Sequence, residues 1–205
     1  MKLLRLGVLA SHRGSNLQAL IDAAGVDDYP ARVVVAISNN SGAFALERAR
    51  AAGIDTHHIS ARTHDGLAGE DAAICNALLE ADVNLVLTLG YMKRLGAQTL
   101  SAFEGRVLNI HPSLLPKFGG HGMFGDHVHA AVIDAGETVT GPTIHLVEPE
   151  YDTGPVLAQA TVEVLQTDTP QTLGSRVLAA EHKLLVSTVE AIAKGDLLLA
   201  SQGTT

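Results

Sequence analysis

Residues 3–24 read LLRLGVLASHRGSNLQALIDAA, and their pattern is the clearest indication of the fold class. Its first eight residues are almost continuously apolar, as in a β-strand that is covered on both faces. From Ser15 onward the apolar residues recur at helical spacing, so the pattern predicts a helix over 15–24. A buried strand that leads directly into a helix is the repeating unit of a parallel α/β sheet.

The same alternation continues as far as residue 110. Apolar runs predict further strands at 32–38, 55–60, 83–89 and 106–110, and helical spacing predicts helices at 43–52 and 71–81. This order of elements is typical of the α/β class. We therefore expect an open, mainly parallel twisted sheet with helices on both faces.

The pattern changes beyond residue 110. A glycine-rich stretch at 119–125 precedes a short predicted helix, and two β runs at 138–148 and 154–164 follow. We expect these two runs to form an antiparallel C-terminal pair across the turn between them. A last helix opens at Thr169-Pro170, where threonine can cap and proline fits the first helical position. The expected organisation is a single domain over 1–195 followed by a frayed tail over 196–205.

Composition excludes several classes of protein. Asp+Glu 22 against Lys+Arg 14 gives a net charge of -8, and only 3% of the residues are aromatic. A protein that binds nucleic acid through its phosphates needs a basic surface, so we expect no nucleic-acid partner. No apolar run approaches the about 20 residues that span a bilayer, and no signal peptide is recognised, so we expect no membrane association. The single cysteine, Cys75, favours the cytoplasm, and the expected assembly is a monomer or a homodimer.

The segment Ser11-His12-Arg13-Gly14-Ser15-Asn16 joins the first strand to the first helix. The first amides of a helix lack partners within it, and the positive end of the helix dipole favours an anion. The segment has neither a Walker pattern nor a dinucleotide fingerprint, so a phosphate monoester is the better candidate ligand. The alternative interpretation is an ordinary turn and helix cap, and the spacing favours the two about equally.

Two further groups of polar residues follow predicted strands. Asn109 and His111 project to the same side of their strand, because side chains at i and i+2 share a face. In an open parallel sheet, the carboxyl ends of the strands face the ligand crevice. The turn at 148–155 carries three carboxylates, one of which could orient His111 and favour its protonated form. A strand-end histidine and a solvated acidic turn are the more ordinary alternatives.

A metal site is not expected. His121, His127 and His129 are close in sequence, but they lack the further ligands that a complete coordination set requires.

The polar groups occur in an order that resembles the folate-dependent formyltransferases. The matching blocks are Gly14-Ser15-Asn16, Asn109-Ile110-His111-Pro112-Ser113-Leu114-Leu115-Pro116 and Asp152-Thr153-Gly154-Pro155. The first block is similar to the branch of the family that acts on glycinamide ribonucleotide. The resemblance covers nearly all of the chain to about residue 194, and it implies a Rossmann-like formyltransferase fold.

The resemblance implies that the amine of glycinamide ribonucleotide attacks the formyl carbon of the co-substrate 10-formyltetrahydrofolate, without a metal. It assigns catalysis to Asn109, His111 and Asp152, with His145 in support. Gly14, Ser15, Asn16 and Glu181 would bind the ribonucleotide. The residues that would bind the folate are Met92, Lys93, Arg94, Leu95, Asn109, Glu148 and Tyr151.

Residues 117–125 depart from the commonest family pattern, because this segment is longer and richer in glycine.

Three alternatives stay open beside the preferred function. Formyltetrahydrofolate hydrolases typically carry an extra N-terminal domain, and methionyl-tRNA formyltransferases an extra C-terminal one; neither is expected here. A non-catalytic small-ligand-binding domain of flavodoxin-like topology would make Asn109, His111 and Asp152 incidental.

Overall fold

The computed structural model describes residues 3–26 and 28–199. The helices and strands alternate along the chain as far as β5, and the second half is richer in short strands. In chain order the elements are β1 (Leu4–Leu9), α1 (Ser15–Ala24), β2 (Ala31–Ser38), α2 (Phe44–Ala51), β3 (Asp55–His58), α3 (Gly66–Glu80), β4 (Leu85–Thr88), α4 (Ala97–Ala102), β5 (Val107–His111), α5 (Asp126–Asp134), β6 (Val139–Thr140), β7 (Thr143–Leu146), β8 (Val156–Gln159), β9 (Val162–Glu163) and α6 (Pro170–Lys194).

Seven strands form one sheet in the order β3-β2-β1-β4-β5-β7-β8, and β6 pairs with β9 in a separate two-stranded sheet. The pairs of β1 with β2, of β1 with β4 and of β2 with β3 are parallel. The predicted antiparallel pairing of the two C-terminal β runs is confirmed, because β7 pairs with β8 and β6 with β9. The predicted α/β class with a mainly parallel sheet is therefore correct.

The chain divides into two compact units. Unit 1 comprises the residues up to Leu108 together with those from Val189 onward, and unit 2 spans Asn109–Thr188. The single domain expected over 1–195 stays a prediction. Of the predicted frayed tail, residues 200–205 lie outside the described residues, while the backbone amides of Asp196 and Leu197 both donate to the carbonyl of Ala191.

Unit 1 has its core where the helices pack on the parallel strands. The central strands β1, β2 and β4 are mostly buried, which is why their sequences are largely apolar rather than alternating. Close packing requires a glycine at Gly7, because a Cβ there would lie 2.4 Å from Cδ2 of Leu78 on α3. The sequence predicted α3 only from residue 71, whereas the helix begins at Gly66.

The short helix α4 was not predicted from the sequence. The carboxylate of Asp71, on α3, accepts hydrogen bonds from the backbone amides of Gln98 (2.8 Å) and Thr99 (3.1 Å). It also accepts one from the Thr99 hydroxyl at 2.5 Å. The cap that satisfies the start of α4 thus comes from a residue far away in sequence.

In unit 2, each of the two predicted β runs is broken into a pair of short strands. The break lies at Gly141, whose φ is +147° and where a Cβ would lie 1.8 Å from the carbonyl oxygen of Ala160. Helices α5 and α6 enclose a small apolar cluster of Val128, Val132, Leu173 and Val177, against which Phe118 packs. No helix among residues 3–26 and 28–199 is long and apolar enough to cross a membrane.

Candidate active site

Unit 2 brings four of the predicted site residues together. Asn109 and His111 lie on β5, His145 lies on the neighbouring strand β7, and Asp152 lies in the turn between β7 and β8. His111 and His145 are only 4% and 2% exposed, so both imidazoles are removed from bulk water. We call these four residues the catalytic cluster.

The partners of His145 define its tautomer and orient Asn109. Nδ1 of His145 lies 2.8 Å from the carbonyl oxygen of Leu146, which can only accept, so Nδ1 carries the hydrogen in the neutral ring. Nε2 then accepts a hydrogen bond from Nδ2 of Asn109 at 3.0 Å. The amide of Asn109 is therefore held with its donor group directed into the cluster.

His111 is held by the glycine-rich segment. Its Nε2 donates to the backbone carbonyl of Phe118 at 2.8 Å, which leaves Nδ1 as the nitrogen that gains a proton. Nδ1 lies 3.5 Å from Oδ2 of Asp152, so a proton gained there faces a carboxylate. The ring thus has one fixed hydrogen bond and one position at which its charge can change.

Asp152 is held in a left-handed conformation, with φ +56°. Its Oδ2 accepts a hydrogen bond from the backbone amide of Gly120 at 2.8 Å, and its Oδ1 lies 3.4 Å from Nε2 of His145. Burial alone would raise the pKa of this carboxyl. The contacts with His145, His111 and Gly120 outweigh that effect and hold the pKa below its ordinary value, so the carboxylate is ionised at neutral pH.

Opposing effects act on the pKa of His111. We expected Asp152 to favour the protonated ring, and the carboxylate does raise the pKa of His111. Burial is the larger effect, however, and His145 acts in the same direction, so the pKa of His111 lies below its ordinary value. At neutral pH the imidazole is consequently neutral and able to accept a proton.

Three consecutive residues, Phe118-Gly119-Gly120, hold both His111 and Asp152 through their backbone. The carbonyl of the first binds the histidine and the amide of the third binds the carboxylate. Gly119 must be a glycine for this approach, because a Cβ there would lie 2.6 Å from Cδ2 of Leu115 and 3.2 Å from Cβ of Asp152. Sequence reasoning assigned these residues no role, and the paired glycines were the only signal that could have indicated one.

In unit 1, the predicted phosphate-binding segment 11–16 forms the start of α1. Gly14 is the N-cap residue with φ +67° and ψ +35°, and no side chain of the described residues caps this helix start. Helix α2 braces the segment, because the amide of Ala45 donates to the carbonyl of His12 at 3.0 Å. The guanidinium of Arg48 also binds the carbonyl of Arg13 at 2.9 Å. Helix α2 thus restrains the conformation of a segment whose backbone amides are suited to bind an anion.

The predicted folate residues of unit 1 lie between β4 and α4. Met92 is 38% exposed and Leu95 is buried, while Lys93 and Arg94 are exposed. The backbone amide of Met92 donates to the hydroxyl of Ser11 at 2.8 Å, which ties this segment to the start of segment 11–16.

The remaining predicted residues lie in unit 2. Glu148 and Tyr151 are exposed in the turn that carries Asp152, and Glu181 is buried on α6. The three histidines that were considered for a metal have separate neighbours: His121 contacts the Tyr151 ring, His127 contacts the Phe124 ring, and His129 is buried. The part of the chain that the structure describes contains no group of three or more His, Cys, Asp or Glu residues arranged to hold a metal ion.

Comparison with known proteins identifies the relatives of this chain. The formyl transferase family model matches residues 4–189. Phosphoribosylglycinamide formyltransferase of Mycobacterium tuberculosis is 42% identical over 202 residues, covering 98% of this chain and 90% of that protein. The bovine trifunctional purine biosynthetic protein adenosine-3 is 40% identical over 199 residues. This match covers 97% of the chain but only 19% of the bovine protein.

Comparison with solved structures leads to the same family. Glycinamide ribonucleotide transformylase 1 from Symbiobacterium toebii superposes with a TM-score of 0.89 at 39% identity, covering 98% of this chain and 92% of that one. With the family model matched over residues 4–189 and such relatives matched along nearly its whole length, the chain belongs to the formyl transferase family, in its phosphoribosylglycinamide formyltransferase group.

Proposed function

We propose that the protein transfers the formyl group of 10-formyltetrahydrofolate to the amine of glycinamide ribonucleotide. The products are formylglycinamide ribonucleotide and tetrahydrofolate. The observation that carries this proposal is the catalytic cluster, in which an oriented amide donor, a neutral imidazole and an ionised carboxylate lie in contact. These are the groups that an acyl transfer to an amine requires.

Asn109 stabilises the charge that develops when the amine attacks the formyl carbon. The attack turns the formyl oxygen into an oxyanion, and an amide N–H of Asn109 donates to it. Because His145 already fixes the Asn109 side chain, little reorganisation accompanies the reaction. A donor of this kind contributes about 2.7–4 kcal/mol to lowering the barrier.

His111 moves the proton that the reaction transfers. The attacking nitrogen must lose one proton and the departing folate nitrogen must gain one, so a single group can serve both steps. The neutral ring accepts the proton from the amine, Asp152 stabilises the resulting imidazolium, and the ring then protonates the leaving nitrogen. No step of this mechanism requires a metal ion.

The remaining predicted residues bind the two substrates. Residues Gly14, Ser15 and Asn16 bind the substrate phosphate through the amides at the start of α1, and Glu181 binds the ribose or glycinamide part. The folate is bound by residues that offer aliphatic surface and polar atoms, with cations among them to offset its negative charge. They are Met92, Lys93, Arg94, Leu95, Asn109, Glu148 and Tyr151.

The partners of the protein are therefore small molecules, with no role for nucleic acid or a membrane. The net charge of -8 supports this assignment, because a phosphate at a helix start is bound without a basic surface. We place the enzyme in the cytoplasm, since its one cysteine, Cys75, is free and buried, as is usual in a reducing compartment.

A two-substrate assay tests the proposal. The protein is supplied with 10-formyltetrahydrofolate with and without glycinamide ribonucleotide, and formylglycinamide ribonucleotide, tetrahydrofolate and formate are quantified. We expect the formylated ribonucleotide and tetrahydrofolate in equal amounts, with formate release negligible. Formate release at a comparable rate without the ribonucleotide would instead identify a hydrolase.

The same assay tests the phosphate-binding segment with a matched substrate. The unphosphorylated glycinamide riboside keeps the amine but lacks the anion. Because hydrogen bonds to a charged group contribute about 1.5–3 kcal/mol, its KM should be roughly 10- to 100-fold higher, with a smaller change in kcat. Equal KM values for the two substrates would show that segment 11–16 does not bind the substrate phosphate.

A further inference from the structure

Ser11 is a buried residue that the mechanism does not use. It follows β1, begins segment 11–16, and is only 1% exposed. Its backbone amide donates to the carbonyl of Gly90 at 3.1 Å, and its backbone carbonyl accepts from Nδ2 of Asn40 at 3.5 Å. Both of its backbone polar groups are thus bonded to segments that are distant in sequence.

The hydroxyl of Ser11 is bonded in the same way. A serine hydroxyl has one hydrogen to donate, and here it is donated to Oδ1 of Asn39 at 2.5 Å. A lone pair of the same oxygen accepts the backbone amide of Met92 at 2.8 Å. Because Asn39 fixes the hydrogen, the oxygen can present only its lone pairs to Met92, and the hydroxyl has a single orientation.

Ser11 therefore joins two segments to which the proposed function assigns different ligands. Gly14 lies three residues further along the phosphate-binding segment, whereas Met92 begins the folate-binding residues of unit 1. The first segment is braced by α2, and the second is held at its far end where Asp71 caps α4. Both segments thus have restraints besides their contacts with Ser11, and a shift of either segment changes the geometry at Ser11.

We propose that Ser11 is a positioning residue that couples segment 11–16 to residues 90–95, so that binding of the ribonucleotide strengthens binding of the folate and the reverse. This proposal rests on the proposed function of the two segments. The coupling is reciprocal, because each ligand must change the affinity for the other by the same factor. Ser11 itself touches neither reacting group.

The coupling can be measured without turnover. Glycinamide ribonucleotide and tetrahydrofolate cannot react, because neither carries a formyl group, so calorimetry can give the Kd of tetrahydrofolate with and without saturating ribonucleotide. In the unaltered protein we expect tighter binding in the presence of the ribonucleotide, by a factor of about 5–150. In Ser11→Ala the factor should fall close to about 1, since the link to the Met92 amide is lost.

Ser38→Ala is the matched control. Ser38 ends the neighbouring strand β2, is 0% exposed, and accepts the backbone amide of Asn40 at 3.1 Å, so it loses a similar buried hydrogen bond. We expect this variant to keep the coupling factor while losing a similar amount of stability in urea unfolding. Asn39→Asp, which keeps the acceptor for the Ser11 hydroxyl, should also keep the factor, whereas Asn39→Ala should lower it.

The outcomes separate the inference from the function on which it rests. An unchanged factor in Ser11→Ala, or no coupling in the unaltered protein, overturns the inference. Ser15→Pro and Leu95→Ala test the two segments independently, because each should weaken one ligand measured alone. If neither does so, the assigned roles of the segments fail, whatever the coupling factor of Ser11→Ala.

Discussion

The catalytic cluster of unit 2 and the two proposed ligand segments of unit 1, 11–16 and 92–95, present their polar groups in opposite ways. In the cluster, the proposed working groups are buried or half-buried side chains, each of which has a hydrogen-bond or charged partner. In segment 11–16 the proposed working groups are backbone amides, and in residues 92–95 the cations are exposed. In the proposed function, the cluster therefore directs fixed dipoles at a developing charge, while the segments bind charge that the ligands already carry.

Because of this contrast, we expect substitutions in the two regions to change different kinetic constants. A preorganised buried group acts mainly in the transition state, so its loss should lower kcat. An exposed cation or a helix-start amide acts on substrate and transition state alike, so its loss should raise KM. Steady-state kinetics of single variants tests this distinction.

The largest effect is expected for His111→Ala. Removing the proposed proton carrier should lower kcat by roughly 10²- to 10⁴-fold while leaving the KM values within a few-fold. Lys93→Ala, in contrast, should raise the KM for the folate by only about two- to five-fold, because an exposed charge contributes about 0.2–1 kcal/mol. Steady-state kinetics with both substrates varied measures both effects.

His127→Ala is the control for the loss of a histidine. His127 is exposed and contacts only the Phe124 ring among the aromatic residues described, so its loss should leave kcat unchanged within a factor of about two. If His111→Ala retained comparable activity, the assigned proton carrier would be wrong. If its KM values rose while kcat held, the distinction between the two regions would be wrong as well.

A smaller effect is expected for Gly119→Ala, which alters no catalytic side chain. The new Cβ would lie against Cδ2 of the buried Leu115 and against Cβ of Asp152, so either the Leu115 side chain or the segment that binds both His111 and Asp152 must shift, and we expect the segment to do so in part. Misplacement by about 1 Å can cost about 100-fold, and we expect kcat to fall roughly 10- to 100-fold. The measurement is kcat with both substrates saturating.

Gly122→Ala is the control within the same segment. Gly122 has φ +85°, and a Cβ there would meet nothing within 4 Å, so the substitution costs local conformational energy without a contact. Its kcat should stay within a few-fold of the unaltered protein. A similar loss in both variants would attribute the effect to general loosening of the segment rather than to the positions of His111 and Asp152.

The features that could be predicted from the sequence are those that a local pattern carries. Continuous apolar runs gave β1, β2 and β4, because strands covered on both faces have no exposed side. The shared direction of Asn109 and His111 followed from the two-residue period of a strand. The pairing of the C-terminal β runs followed from the turn between them.

The features that could not be predicted depend on backbone atoms from elsewhere in the chain. The cap of α4 comes from Asp71 on another helix, so the residues around 97 carry no start signal of their own. The partners of His111 and Asp152 are the carbonyl of Phe118 and the amide of Gly120, and any residue supplies such groups. The sign of the pKa shift of His111 depended on how deeply the ring is buried, which no motif encodes.

The smallest expected effect is on stability, at a buried histidine outside the proposed chemistry. His129 is 5% exposed, a Cβ at Gly174 would approach its ring within 2.9 Å, and its Nδ1 has no hydrogen-bond partner within the described chain. Burial lowers its pKa below the ordinary 6.5, and although Asp126 opposes this, His111 adds to it. The unfolded chain therefore takes up a proton on this group more readily than the folded protein does, as pH falls below about 6.5.

His129→Leu should consequently make the free energy of unfolding less sensitive to acid. Between about pH 7.5 and about pH 5.5, we expect the loss of stability in urea unfolding to be smaller in His129→Leu than in the unaltered protein, by at most about 1.4 kcal/mol. Part of the acid sensitivity should remain, because the pKa of His111 is lowered in the same direction. An unchanged pH dependence in His129→Leu would show that His129 titrates alike in the folded and unfolded states. A change in kcat at neutral pH would show instead that His129 supports the catalytic cluster.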